Sequence, residues 1–214
     1  MKSFTFLLTV SCIHTSTGFS APLRKLDFFG SIQSIFRLPN DKQNPSSQTE
    51  RRDALKSILL SECSQKGVPR EQVEELIYEL ADFSPIRCTA SSDLLQKKWL
   101  LLWTTEKEIN FFIDWKLSSQ ITQTIDRTLL ENNIPFVRGG SFGVKGNLSI
   151  PNTQGIRTTF QFTTANLDLG SWGSFNFPPV GEGWFDTIYL DDDLRVDTNS
   201  RNDILICVPF PSNS

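Results

Sequence analysis

Gly183-Trp184-Phe185-Asp186-Thr187-Ile188-Tyr189-Leu190 is the stretch whose reading decides the fold. Trp184, Asp186, Ile188 and Leu190 interleave with Phe185, Thr187 and Tyr189, so aromatic and β-branched side chains stand at both parities. That choice of residues at a period of two is a β-strand. Downstream, Leu194 and Val196 lead to a polar turn over 198–203, and Ile204, Ile206 and Val208 close the series. Upstream lie Trp99, Leu101 and Trp103; Phe111, Ile113 and Trp115; Ile121, Gln123 and Ile125; Phe142, Val144, Gly146, Leu148 and Ile150; and Thr158, Phe160 and Phe162. About seven or eight short strands with Gly, Asn and Pro between them predict a mainly β domain, an antiparallel barrel or sandwich. Many of the strands are apolar on both faces. A small barrel covered by helices explains that, and so does a barrel that holds a greasy ligand.

The chain before these strands has the helical period. Ser47 and Glu50 have capping-box spacing, and Ala54, Leu55, Ile58, Leu59 and Cys63 recur every three or four residues up to Gly67. Pro69 suits a first helical position, Val73, Leu76, Ile77, Leu80 and Ala81 form the next stripe, and Ser84-Pro85 ends it. The expected organisation is a helical lead-in over 46–95 and a barrel over 96–210.

Residues 1–18 read as a secretory signal, with Lys2, an apolar core through Ile13, and small residues up to Gly18. Residues 19–45 are basic, Ser-containing and poor in acids, the composition of a plastid transit peptide running into a polar linker. The two in tandem form the bipartite address of algae whose plastid lies inside extra membranes. Gly18-Phe19-Ser20-Ala21-Pro22 resembles the Phe-containing junction of such precursors.

Charge and composition exclude several classes of function. The chain carries 21 basic and 24 acidic residues; without residues 1–40 it carries 17 and 23. An acidic body does not suit nucleic acid. The single histidine, His14, falls in the expected signal, so the mature body has no imidazole for a Ser–His–Asp or Cys–His mechanism. Cys12, Cys63, Cys88 and Cys207 fit no zinc or CxxC spacing; they read as free thiols, with a Cys63–Cys88 bridge as the alternative. Neither a cofactor nor a metal site is expected. Three consecutive acids, Asp191, Asp192 and Asp193, do not converge on a strand and read as a solvated turn, with Arg195 or Arg201 as pairing partners.

Three blocks carry a resemblance. They are Trp99-Leu100-Leu101-Leu102-Trp103-Thr104-Thr105; Gln123-Thr124-Ile125-Asp126 with Asn133-Ile134-Pro135-Phe136; and Gly183 through Val196, with its Trp-x-Asp-Thr-x-Tyr-Leu-Asp and Leu-Arg-Val elements. In these the chain resembles the plastid lipid-associated proteins, also called plant fibrillins or PAP proteins, over about residues 50–208. It departs from the family pattern at Lys97-Lys98, where a Gly is usual, at Trp103, where a Tyr is usual, and at Thr198-Asn199 after Arg195. The resemblance implies a lipocalin-like barrel with an N-terminal helical pair. It also implies hydrophobic plastid ligands such as carotenoids, quinones or fatty acids, a place at thylakoids or lipid globules, and no catalytic residues.

Within that frame Trp103, Phe160, Phe162, Trp184 and Tyr189 are candidates either to line a ligand pocket or to pack an ordinary core, because parity alone does not say which face points inward. Arg195 is expected to cover Trp99 and close one end, a cation–π contact of ~1–2 kcal/mol, or else to stand solvated on a hairpin. The aromatic loop with Trp172, Phe175 and Phe177 either dips into a lipid surface or covers an open end. A lipid-binding, non-enzymatic barrel is the expected function. The alternatives are a ligand-free coat protein of lipid globules and a histidine-free isomerase or cyclase using Asp114, Asp126 or Asp186.

Overall fold

A computed structural model describes residues 45–65, 67–118, 120–178 and 181–211. The signal and transit segments lie outside the described residues. The chain divides into Met1–Arg51 and Arg52–Ser214, and the first unit contributes only the opening turns of one helix to what is described.

Eight antiparallel strands close into a barrel. They are β1 (Lys98–Thr104), β2 (Thr122–Asp126), β3 (Leu129–Pro135), β4 (Ser141–Ser149), β5 (Arg157–Asp168), β7 (Glu182–Leu190), β8 (Arg195–Asn199) and β9 (Ile204–Pro209). Each pairs with the next in this order and β9 pairs with β1, which removes the open edges. β5 is long because it has two partners on one side: Arg157–Gln161 pairs with β7, and Ala165–Asp168 pairs with the short β6 (Ser174–Phe177).

One expected strand does not form. Phe111, Ile113 and Trp115 do not form a strand; they belong to α3 (Lys107–Asp114) and its C-cap. Phe111 and Trp115 are one turn apart and their rings meet at 5.7 Å, so the helical spacing of four wins over the alternation. β3, by contrast, is a strand that the sequence reading passed over. Its inward residues are Leu130, Asn132 and Ile134, and the polar Asn132 interrupts the apolar alternation.

The helical pair is α1 (Pro45–Cys63) and α2 (Arg70–Ala81). α1 starts at Pro45, two residues before the expected cap at Ser47, and Pro69 caps α2 rather than opening it. Leu55, Leu59, Val73, Leu76, Ile77 and Leu80 are all buried. They face the outer side of β7–β9, whose outward residues Tyr189, Val196 and Ile206 are also fully buried. Two polar ties fix the arrangement: Lys56 Nζ lies 2.7 Å from Asp191, and Arg70 donates to the Asn202 carbonyl at 2.9 Å. From α2 the chain crosses the barrel end through two 3₁₀ turns, Thr89–Ser91 and Asp93–Leu95, and Thr89 donates to the Thr187 carbonyl.

Candidate functional site

The face of each strand follows from the ladders, because cross-strand partners share a face and neighbours along a strand alternate. Trp99, Ile125, Leu130, Leu148, Phe185, Leu190 and Cys207 form one buried cluster inside the barrel, with Leu95 of the second 3₁₀ turn against it. This end is solid. Trp99 is fully buried, and its indole N–H donates to the Leu95 carbonyl at 2.9 Å.

Arg195 enters the same end from β8. Its guanidinium carbon stands 5.1 Å from the centre of the Trp99 ring, and the side chain is wholly buried. Its Nη2 bonds Asp197 at 2.9 Å and donates to Gln123, whose amide nitrogen donates to Asn132 at 2.9 Å. Thr187 donates to the other oxygen of Asp197 at 2.7 Å. Among the described residues Arg195 Nε and Nη1 meet no hydrogen-bond acceptor. Burial pushes the Asp197 carboxyl up, against the opposing pull of Arg195 and Thr187. Burial likewise pushes the Cys207 thiol up to about 12, so it stays protonated. The expected Arg195–Trp99 pair is thus one part of a polar chain crossing the interior. Gln123, Asn132 and Asp197 were not singled out in the sequence. The signal that finds them is their parity with Ile125, Leu130 and Arg195.

The other end is different. Inward residues Leu101, Phe142, Val144, Phe160 and Phe162 are only half-buried, although they sit on the inner face of a closed barrel. Leu101, Phe160 and Phe162 pack against the buried cluster, and Ile134 and Ala165, opposite Phe142 and Val144, are buried. Phe160 and Phe162 meet at 4.9 Å, and Phe160 lies 6.5 Å from Phe185, so the inner wall is aromatic here. Gly146 stands opposite Phe162; a Cβ there would come within 2.5 Å of the Gln161 carbonyl oxygen, so the two strands cross too closely for a side chain.

The five expected lining residues therefore separate. Phe160 and Phe162 are on the inner face and pack against the buried cluster. Trp184 does not: it shares the outer face with Asp186, under an Arg157 guanidinium 3.6 Å from its ring and bonded twice to Asp186. Tyr189 is also outward, buried beneath the helices, and its hydroxyl donates to Asp191. Trp103 follows a register shift in β1 that places it opposite Ile206, on the outer face. Asp191 is not in a solvated turn. Burial alone would raise its carboxyl, but hydrogen bonds from Lys56, Tyr189 and the Asp193 amide hold it below the usual carboxylate value. Its partner is Lys56 rather than Arg195 or Arg201, whereas Asp192 and Asp193 are exposed. Cys63, Cys88 and Cys207 are free thiols. Asp126 is exposed, Asp186 is tied to Arg157 on the outside, and Asp114 is exposed on α3, so none faces the lumen. Among the described residues no three His, Cys, Asp or Glu side chains are placed to hold a metal.

Three segments surround the open end. α3 follows β1 and packs Phe112 on Phe136 of the β3–β4 loop at 6.3 Å, and the Val137 amide donates to the Leu117 carbonyl at 2.9 Å. In the same loop Gly140, at φ +84°, abuts the Asp168 carbonyl at the start of the β5–β6 connection. There Trp172 is 84% exposed, and Phe175 and Phe177 are exposed as well. Phe175 and Phe177 are opposite Leu167 and Ala165, which places them on the same face as the inward residues of β5.

The PAP_fibrillin family model matches residues 59–177, more than half of the chain. A protein described as probable plastid-lipid-associated protein 11, chloroplastic, from Arabidopsis thaliana is 36% identical over 130 residues, covering 58% of this chain. The chain spans 60% of that relative's length. No solved structure matches.

Proposed function

The chain belongs to the PAP_fibrillin family, and from that premise we propose that it is a non-enzymatic plastid protein that holds a hydrophobic molecule in the open half of its barrel. The observation that carries the reading is the half-buried apolar wall of Phe142, Val144, Phe160 and Phe162 above a solid floor. Water against such a wall is unfavourable, and replacing it with a ligand gains about 25 cal/mol per Å² of apolar surface covered. Carotenoids, quinones and fatty acids fit this chemistry. A molecule with one polar end fits it best, because Gln123 and Asn132 lie on the same inner wall as Val144. The relative's printed description supports a plastid location and an association with lipid. Thylakoids and lipid globules are the expected sites, and the bipartite address of residues 1–45 is the expected route.

Mass spectrometry of lipid extracts from the purified protein tests the proposal. A stoichiometric pigment, quinone or acyl chain is the expected result. Repeated empty extracts, with no quenching of tryptophan fluorescence by any of the three classes, overturn it.

A second reading, a coat protein without internal ligand, is favoured by one observation only, the exposed aromatic residues around the open end. A barrel loaded at one molecule per chain sinks that reading.

A further inference from the structure

We infer that the ligand is a lipid whose polar end is an uncharged oxygen acceptor, such as the carbonyl of a quinone or a ketone, and that the side-chain amide of Asn132 donates to it. This inference rests on the carrier reading of the previous subsection and adds to it the direction of a chain of hydrogen bonds inside the barrel.

The chain starts at Arg195. A guanidinium has donors and no acceptor. Its Nη2 serves Asp197, Gln123 and the Cys207 sulfur, so the atom that Gln123 turns towards it must be the amide oxygen. That choice commits the other half of the same group. Gln123 Nε2 is left to donate, and it does so to Asn132 Oδ1 at 2.9 Å. Asn132 then has its oxygen engaged by Gln123 and its nitrogen left over. Turning over either amide would set donor against donor. The last group of the chain is therefore a donor, Asn132 Nδ2, which meets no acceptor among the described residues. Hydrogen bonds in series polarise one another, so the charge on Arg195 strengthens this terminal N–H.

The first links are sealed and the last is not. Arg195 and Asp197 are wholly buried, whereas Gln123 and Asn132 are half-buried although both point inward. The chain thus leads from the packed end to the neighbourhood of Val144, which stands opposite Asn132 on β4. The other inward asparagine, Asn199, has nothing to spare. Its nitrogen donates to Glu106, and its oxygen accepts from the amides of Arg201 and Asp203.

Charge selects between acceptors. Arg195 and Asp197 are the only charged side chains that the described strands turn inward, and they pair at 2.9 Å. An ionised carboxylate would give up its hydration in this interior without gaining a counter-charge. A carbonyl oxygen gives up less and receives the Asn132 N–H. A bare hydrocarbon would cover that N–H and leave it unpaired.

Equilibrium dialysis of the full chain against four ligands of equal length tests this: tetradecane, methyl dodecyl ketone, tetradecanol and tetradecanoate. The wild type should hold the ketone about tenfold more tightly than tetradecane. It should hold the alcohol as it holds the ketone, since a hydroxyl also accepts, and tetradecanoate less tightly than either. Asn132→Leu removes the donor at similar volume, so the ketone should fall to the level of tetradecane. Gln123→Glu reverses the chain. The new carboxylate accepts both from Arg195 and from Asn132 Nδ2, which leaves the Asn132 oxygen facing the ligand. The alcohol, which can donate, should then be held about tenfold more tightly than the ketone. Glu131→Gln alters the outward neighbour, paired with Lys145, and should keep the wild-type order. Ratios between ligands on one protein are read, so a loss of stability that weakens all four alike does not imitate the result. A wild type that holds ketone and tetradecane equally overturns the inference and leaves the carrier reading standing. So does tetradecanoate held more tightly than the ketone, or a ketone preference that survives in both Asn132→Leu and Gln123→Glu. A wild type that holds none of the four defeats the carrier reading and the inference with it.

Discussion

At the scale of one residue, Arg195 concentrates the electrostatics of the interior. Its guanidinium is wholly buried, faces Trp99 and pairs with Asp197. Removing one member of a buried pair strands the other charge, at a cost of roughly 3–5 kcal/mol. Arg195→Ala should therefore lower the melting temperature by on the order of 10 °C, at about 2–4 °C per kcal/mol for a chain of this size. Arg195→Lys keeps the charge but loses the planar guanidinium 5.1 Å from the Trp99 ring, so it should also melt lower. The double replacement Arg195→Met/Asp197→Leu should recover most of the loss, because it strands no charge. Calorimetry of the four proteins checks this; unchanged melting in both single variants would remove Arg195 from the account. The Trp99–Arg195 pairing was legible in the sequence because both residues lie in blocks that resemble the family. Their links to Gln123 and Asn132 were not, because polar residues at inward parity look like interruptions until the ladder shows that they face each other.

At the scale of the element, the helical pair is held to the barrel by apolar burial and by Asp191. This carboxylate accepts from Lys56 and Tyr189, and from the amides of Asp193 and Leu194 in the β7–β8 turn. Its folded pKa is depressed below 3.8. A depressed acid contributes stability that is fully present above the unfolded value and disappears as pH falls through the folded value. The wild type should therefore lose stability below about pH 4, and Asp191→Asn should be less stable at neutral pH but show a shallower decline over that acid range. Parallel slopes of denaturation midpoint against pH in the two proteins would show that Asp191 does not couple the helices to acid. The helices themselves were readable from spacing, since two long stripes of period 3.6 admit no other fold. α3 was not. It has eight residues, and its Phe111, Ile113 and Trp115 alternate as well as any strand. What decides for helix is its position, between the ends of β1 and β2 at the barrel mouth, where no neighbouring strand can supply hydrogen bonds.

At the scale of the whole molecule, closure is what gives each strand an inside and an outside, and no single strand records it. Trp103, Trp184 and Tyr189 are as aromatic as Phe160 and Phe162, yet the ladders turn the first three outward and the last two inward. A bulge in β1 is enough to move Trp103 to the other face. The proposed function places two demands on the interior: near Trp99 it must be packed for stability, and near Val144 it must leave room for a ligand. A substitution that fills only the hollow part should separate them in experiment. Val144 is inward, half-buried and opposite Ala165. Val144→Phe adds bulk at a half-buried inward position, and if the proposed ligand space lies there the melting temperature should change little. Recovery and affinity of the ligand should fall by about tenfold or more if the added ring displaces a segment of the bound chain. Trp184→Phe and Trp103→Phe, on the outer face, should leave ligand binding unchanged. If Val144→Phe binds as the wild type does while Trp184→Phe fails to bind, the ligand sits outside the barrel, and the hollow has another purpose.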